Sequence, residues 1–171
     1  MSICFVPDFL VKRVTDINPK FLKSKDVKLL LCDLDNTISL RHEKEPPQKI
    51  FEWKEKLRKA GIELMLFSNN RRGRAAITAK QLGVRYLEHV GKPKVDGFFE
   101  AARITGIPRR HMALAGDQIF TDVLGANRAE VKSIWVIPIS IRTPHLWLRF
   151  KLEKLVVAIN IFTGGKNFER L

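Results

Sequence analysis

The sequence predicts an α/β domain of three layers, with helices packed on both faces of a mostly parallel sheet. Three observations carry that expectation. Short apolar runs alternate with stretches of helical periodicity, polar residues follow the apolar runs, and glycine or proline marks most boundaries. A length of 171 residues suits one domain with short appendages and is enough to bury a core.

The elements follow in order. Val27 to Cys32 is an apolar run ending at Asp33 and reads as a central strand buried on both faces. Pro46-Pro47 suits a helix entry, Ile50, Trp53, Leu57 and Ala60 fall at helical spacing, and Gly61 is placed to stop the helix. The pattern then repeats, with Ile62 to Phe67 as a strand, Ala75 to Leu82 as a helix, Gly83 as its stop, and Val84 to Leu87 as a short strand. A third round gives a helix from Val95 to Thr105 stopped at Gly106, and a strand from Met112 to Ala115. A helix from Phe120 to Ala129 and a strand from Ser133 to Ile137, closed by Pro138, complete it.

Two segments fall outside the alternation. Residues 1–26 are expected to pack on or beside the core formed by 27–143, either wrapping it or lying against a partner. Residues 144–171 form an apolar and basic C-terminal unit. As a helix, Pro144 to Phe162 collects His145, Arg149, Glu153 and Asn160 on one narrow face, while Lys151 and Lys154 interrupt the apolar side. The last residues, from Gly164 to Leu171, read as a frayed end.

Hydrophobic residues at 45% and charged residues at 29% exclude a collagen-like, disulfide-scaffold or wholly disordered chain. The two cysteines, Cys4 and Cys32, cannot form a disulfide framework, and a reducing compartment is the simpler expectation. Met1 to Leu10 lacks the pattern of a secretory or transit peptide, and no stretch is long and apolar enough for a conventional membrane span. The reading is therefore a cytoplasmic protein. Lys and Arg number 31 against 18 Asp and Glu, a net charge of +13 that favours a polyanionic partner without choosing among nucleic acid, phosphorylated small molecules and anionic membranes.

Asp33-Leu34-Asp35-Asn36-Thr37 places two carboxylates two residues apart where a buried strand ends. In extended chain they project to the same side, so one is protonated or a cation lies between them. One such carboxylate can attack as a nucleophile and the other can move protons. A capping or turn role is the plainer alternative for a lone pair of this kind. Three further polar sites follow predicted strands: Ser68-Asn69-Asn70, Gly91-Lys92-Pro93, and Gly116-Asp117 with Asp122 beyond. The carboxyl ends of parallel strands form one rim, so these sites can converge. Together they supply a carboxylate nucleophile, a second acid, hydroxyl donors, an ammonium and further acids, a complete set for phosphoryl transfer. The all-oxygen character of the acids suits Mg²⁺ over zinc. His42, His89, His111 and His145 match no triad or metal spacing.

The order of these motifs between about Leu29 and Pro138 resembles the haloacid dehalogenase-like phosphatases. Pro7-Asp8-Phe9, Ser68-Asn69-Asn70, Gly91-Lys92-Pro93 and the run from Gly116 to Arg128 look like subfamily IIIA phosphatases of the YqeG type, related to mitochondrial phosphatidylglycerophosphate phosphatases. The resemblance implies a Rossmann-like core with no large cap domain, because the stretches where caps are inserted are short. It implies that Asp33 is the nucleophile, forming an aspartyl-phosphate, and Asp35 the general acid and base. Thr37, Ser68, Asn69 and Lys92 would hold the phosphoryl group, with Lys92 also balancing charge. Mg²⁺ would be held by Asp33, the Asp35 main-chain carbonyl and Asp117, with Asp122 in support. Cys32, Ile38 and Ser39-Leu40-Arg41 depart from the family pattern and are expected to touch no catalytic atom.

The implied reaction removes the terminal phosphate of phosphatidylglycerophosphate. The C-terminal segment adds an expectation of its own: its apolar residues with Arg149, Lys151 and Lys154 suit peripheral binding to an anionic membrane surface, although such a helix can equally pack on its own domain. Removing 144–171 is then expected to weaken vesicle binding more than hydrolysis of a soluble ester. Arg71-Arg72-Gly73-Arg74 suits either an anionic substrate or a solvated first turn. Two alternatives stand beside this reading: a phosphatase for nucleic-acid ends, disfavoured by the scarcity of stacking aromatics, and a non-enzymatic basic adaptor for RNA or protein.

Overall fold

Leu29, Leu30, Leu31 and Cys32 are all fully buried, which requires cover on both faces of the strand they form. The computed structural model describes residues 4–71, 73–162 and 168–170. In chain order its strands are β1 (Phe9–Val11), β2 (Leu29–Cys32), β3 (Glu63–Phe67), β4 (Arg85–Leu87), β5 (Met112–Gly116), β6 (Lys132–Val136) and β7 (Glu169–Arg170). The helices are α1 (Pro19–Ser24), α2 (Gln48–Lys59), α3 (Arg74–Leu82), α4 (Asp96–Thr105), α5 (Leu124–Arg128) and α6 (Pro144–Phe162).

Every strand pairing is parallel, in the order β4-β3-β2-β5-β6-β1-β7. This is the three-layer α/β fold expected from the alternation. On one face Leu30 and Cys32 pack with Leu22 of α1, Ile50, Trp53 and Leu57 of α2, and Ala75, Ala79 and Leu82 of α3. On the other, Leu29 and Leu31 pack with Phe98 and Ala101 of α4 and Ala126 of α5. The helix stops are as expected: Gly83 and Gly106 lie in the left-handed region at φ +64° and +70°, where a residue with a Cβ is strained.

Three departures from the sequence reading matter for the site. Phe9–Val11 does not merely lie beside the core; it is an inner strand between β6 and β7, held by main-chain pairing and by Asp8, whose Oδ2 accepts from Ser133 N at 2.7 Å and Oγ at 2.9 Å. The expected helix from Phe120 to Ala129 is split into a wide π turn, Ile119–Val123, and the short α5. Within the end expected to fray, Glu169 and Arg170 pair with β1, while residues 164–167 and 171 lie outside the described residues.

The rim of the sheet tolerates little added bulk. A Cβ at Gly97, in the first turn of α4, would come within 2.8 Å of Val90 Cβ and 2.9 Å of Phe67 Cζ, the walls behind Lys92. Gly97→Ala is expected to cost about 1–3 kcal/mol by overpacking, read as a lower urea midpoint with an unchanged m-value.

Candidate active site

The rim at the carboxyl ends of β2, β3 and β5 gathers most of the residues singled out from the sequence. Asp33 follows β2 directly and is pinned by its N–H donating to Ala115 O at 2.8 Å. Its side chain faces a buried ammonium: Lys92 Nζ donates to Asp33 Oδ1 at 2.7 Å and Phe67 O at 2.8 Å and lies 2.6 Å from Asp122 Oδ1. Lys92 is held from behind by Asn69, whose side-chain amide spans its main chain, accepting from Lys92 N at 2.7 Å and donating to Lys92 O at 3.0 Å. The Asn69 carboxamide, expected on the phosphoryl group, is thus engaged in placing Lys92.

Asp122 reaches Lys92 because the π turn swings it back over the end of β5, where its Oδ2 accepts from Gln118 N at 3.0 Å. Gly116 makes room for it, since a Cβ there would sit 2.3 Å from Asp122 Cγ. Asp33, Asp117 and Asp122, all buried, each offer an oxygen within 4.8 Å of the others. Asp117 is fully buried; its Oδ2 accepts from Arg149 at 3.0 Å, while Oδ1 has no hydrogen-bond partner. Close-set carboxylates with an orphaned buried oxygen fit a divalent cation, and Asp33 and Asp117 belong to that set.

Burial dominates the electrostatics. It pushes the Asp33 carboxyl up to about 6 despite the opposing pull of Lys92, and raises Asp117 well above the ordinary carboxylate range with help from Asp33 and Asp122. For Lys92, burial opposes the charge, but Asp122 and Asp33 outweigh it and hold the ammonium protonated. Two hydroxyls at the rim have donor capacity to spare. Thr37 Oγ1 is buried without a partner, and Ser68, 2% exposed, accepts from Asn70 N at 3.1 Å and retains its own proton to donate.

Asp35 does not share a cation with Asp33. The chain turns at Asn36, which has φ +69°, and Asp35 forms its own ion pairs, with Arg74 on Oδ1 and Arg41 at 3.4 Å on Oδ2, where Asn70 Nδ2 also donates at 3.1 Å. Repulsion between the two acids is relieved by separate partners, Lys92 for Asp33 and Arg74 for Asp35. Arg74 is therefore neither a free anion binder nor a solvated residue: it also donates to Ser39 Oγ at 2.8 Å and Leu40 O at 2.6 Å. Arg72 of the same basic run lies outside the described residues. The Ser39-Leu40-Arg41 stretch, expected to touch no catalytic atom, does so through Arg41.

Several site residues carried no sequence signal. Asn36 clamps the loop after β6, donating to Ser140 O and accepting from Ser140 N, both at 2.8 Å. From α6, Arg149, expected with Lys151 and Lys154 at an anionic membrane surface, instead turns inward to Asp117, and Glu153, fully buried, accepts from Ile119 N at 3.1 Å. The helical spacing had put Arg149 and Glu153 on one face, yet nothing in it said which face turns inward; the side chain of Asn160 lies outside the described structure. A cavity of about 720 Å³ opens beside Asp35 and Asp117, bounded by the loop after β6 and the start of α6.

A parallel sheet whose rim joins a buried carboxylate, a lysine, hydroxyls and a cation-ready acid cluster has the donor set of an enzyme that handles phosphoryl groups. Comparison with known proteins gives the family. Residues 2–138 match the family model described as mitochondrial PGP phosphatase. The chain is 33% identical over 136 residues to the Bacillus subtilis (strain 168) protein called Probable phosphatase YqeG, covering 80% of this chain and 79% of that one. Among solved structures, the 3-deoxy-D-manno-octulosonate 8-phosphate phosphatase of Moraxella catarrhalis, in complex with magnesium ion, phosphate ion and KDO, is 18% identical with a TM-score of 0.52, over 86% of this chain and 98% of that one. The cobalt-bound phosphatase YrbI from Haemophilus influenzae is 16% identical with a TM-score of 0.54, over 67% and 70%. The chain belongs to the mitochondrial PGP phosphatase family. It is a phosphoric monoester hydrolase, and the non-enzymatic adaptor is set aside.

Glu153 provides a stability test. Burial, opposed by Arg149, pushes its carboxyl up to about 7, so between pH 4.5 and 7 the folded chain keeps a proton that the unfolded chain has released. Stability is then lost as pH rises through that window. Relative to Glu153→Gln, the wild type is expected to lose on the order of 2 kcal/mol between pH 4.5 and 8, measured by urea unfolding in chelator. A constant difference between the two proteins would contradict it.

Proposed function

We propose that this chain is a Mg²⁺-dependent phosphatase of phosphatidylglycerophosphate, forming phosphatidylglycerol and inorganic phosphate at an anionic membrane surface in the cytoplasm. The observation that carries the lipid reading is the orientation of α6. It buries Glu153 and Val157 and turns Arg149 toward the site, while Leu148, Leu152, Leu155, Ile159 and Phe162, about half exposed or more, form a stripe on its outer side. Exposed apolar residues in a row are uncommon on a soluble surface and suit shallow insertion among lipids. Lys151 and Lys154 flank that stripe, lying over the rings of Trp147 and Phe150, and suit anionic headgroups. No helix of the described residues is long and apolar enough to cross a membrane.

In the proposed reaction Asp35 first takes up a proton from solvent; an Asp33 carboxylate oxygen then attacks the phosphorus of the terminal monoester, the ester P–O bond breaks, and the leaving alkoxide takes that proton from Asp35. A water molecule then attacks the aspartyl-phosphate, giving its proton to Asp35, and the acyl-phosphate P–O bond breaks to return Asp33 and release phosphate. Arg74 fixes the orientation of Asp35, Thr37 and Ser68 donate to the phosphoryl oxygens, and Lys92 offsets the charge on Asp33. Asp33, the Asp35 main-chain carbonyl and Asp117 would hold Mg²⁺, with Asp122 in support, and the ion would stabilise charge on the transferring group. Among the described residues the stretches bordering the rim carry no cap domain, so a substrate anchored in a surface supplies part of its own positioning.

Asp33→Asn is expected to lower phosphate release from phosphatidylglycerophosphate in mixed micelles by at least 10³-fold while the circular dichroism spectrum is retained. Turnover near the wild-type rate with metal present would remove Asp33 as nucleophile. Release from a 3′-phosphorylated oligonucleotide and not from the lipid would keep the mechanism and overturn the substrate.

Deleting residues 144–171 does not separate membrane binding from catalysis, as the sequence reading supposed, because α6 contributes Arg149, Glu153 and Val157 to the interior. Point changes do. The pair Leu152→Ser and Leu155→Ser is expected to weaken co-sedimentation with phosphatidylglycerol vesicles by about tenfold and to leave hydrolysis of p-nitrophenyl phosphate within about twofold. Equal loss of both activities would mean the stripe serves the core.

A further inference from the structure

The cavity beside the catalytic acids is far larger than one phosphoryl group requires. Its wall is unevenly charged. Asp35 and Asp117 are the acids that line it, and each already has a cation of its own, Arg74 for Asp35 and Arg149 for Asp117. Arg41 is then a second cation on Asp35, with its side chain 77% exposed, and Arg142 has no ion-pair partner among the described residues. Leu40, Ile139 and Leu146 add an apolar wall. The cavity thus offers surplus guanidinium groups next to a surface that suits short carbon chains, adjoining the carboxylates that handle the reacting phosphate.

We propose that this cavity is a second anion subsite, in which Arg142 and Arg41 hold a phosphodiester that the substrate carries one three-carbon unit away from the phosphomonoester being cleaved. Guanidinium groups bind phosphate oxygens through paired N–H donors, and a diester keeps one negative charge at all relevant pH. The placement also fits. Arg142 and Arg149 flank the start of α6, and the apolar stripe begins at Leu148, so guanidinium groups lie between the catalytic acids and the face proposed to meet lipid. A headgroup threaded from that face presents its diester before its terminal phosphate. Half of the cavity lining, Arg142 included, comes from residues after 138, beyond the stretch matching the family model, and the subsite binds the part of the substrate that does not react.

This inference rests on the lipid reading, and its test is made independent of membranes. The two probes are glycerol 3-phosphate and glycerophosphoglycerol phosphate, the water-soluble deacylated headgroup; both carry the same reacting ester and only the second carries the diester. Wild-type kcat/KM is expected to favour the second by tenfold or more, chiefly through KM. Arg142→Gln is expected to reduce that preference about tenfold, and Arg142→Lys to restore part of it. No preference in the wild type, or a preference unchanged in Arg142→Gln, overturns the subsite. If micellar phosphatidylglycerophosphate is still cleaved in that case, the lipid reading stands alone. If neither soluble probe nor the lipid is cleaved while an oligonucleotide 3′-phosphate is, both fall together.

Discussion

The site depends on one buried ammonium. Lys92 lies between Asp33 and Asp122 with a third contact to Phe67 O, almost wholly withdrawn from water. Carboxylates grouped as closely as Asp33, Asp117 and Asp122 would repel in an interior of low dielectric constant, and a lysine alone there would lose its proton. Each therefore makes the other tenable. Three acids face two resident cations, Lys92 and Arg149, and the shortfall of positive charge is of the kind a divalent ion relieves.

Much of the remaining architecture serves to fix those charges. Asn69 clamps the main chain of Lys92, Gly116 yields the space that Asp122 occupies, and the π turn gives Asp122 its direction. Asp35 is held apart by Arg74, which is itself tied to Ser39 and Leu40. The two acids of the first motif thus occupy different electrostatic settings. Asp33 is raised by burial in the cluster, and Asp35 sits in a half-buried ring of Arg74, Arg41 and Asn70, a separation that lets neighbouring carboxylates take different roles.

The layered fold and most of the site were legible because they rest on local rules. Apolar runs with glycine stops located the central strands to within a residue or two, and acids and hydroxyls just after those strands must share a rim once the sheet is parallel. What escaped were interactions between residues distant in the chain. Phe9–Val11 is too short to announce itself as a strand, and its place is set by pairing with β6, over a hundred residues away. Asn36 carried no signal of the distant loop that it holds through Ser140. The π turn could not be told from an ordinary helix by periodicity, since the contacts that go with it join Asp122 to Gln118 N and to Lys92, a residue distant in the chain.

The C-terminal helix is where composition misleads in an instructive way. An apolar helix ordinarily turns its apolar side to the core, but α6 buries Glu153, presents Arg149 to Asp117 and leaves its leucine stripe outside. Glu153 is tolerated inside because it accepts from the Ile119 N–H and lies 3.8 Å from the Arg149 guanidinium. The apolar stripe needs a different compensation. Burying Leu148, Leu155 and Phe162 against lipid would recover free energy that their exposure forgoes, and it would do so without moving Arg149 from the acids. One helix would then hold the chain at the surface where its substrate resides and complete the rim where that substrate reacts, which offers a physical reason for a phosphatase to dispense with a cap.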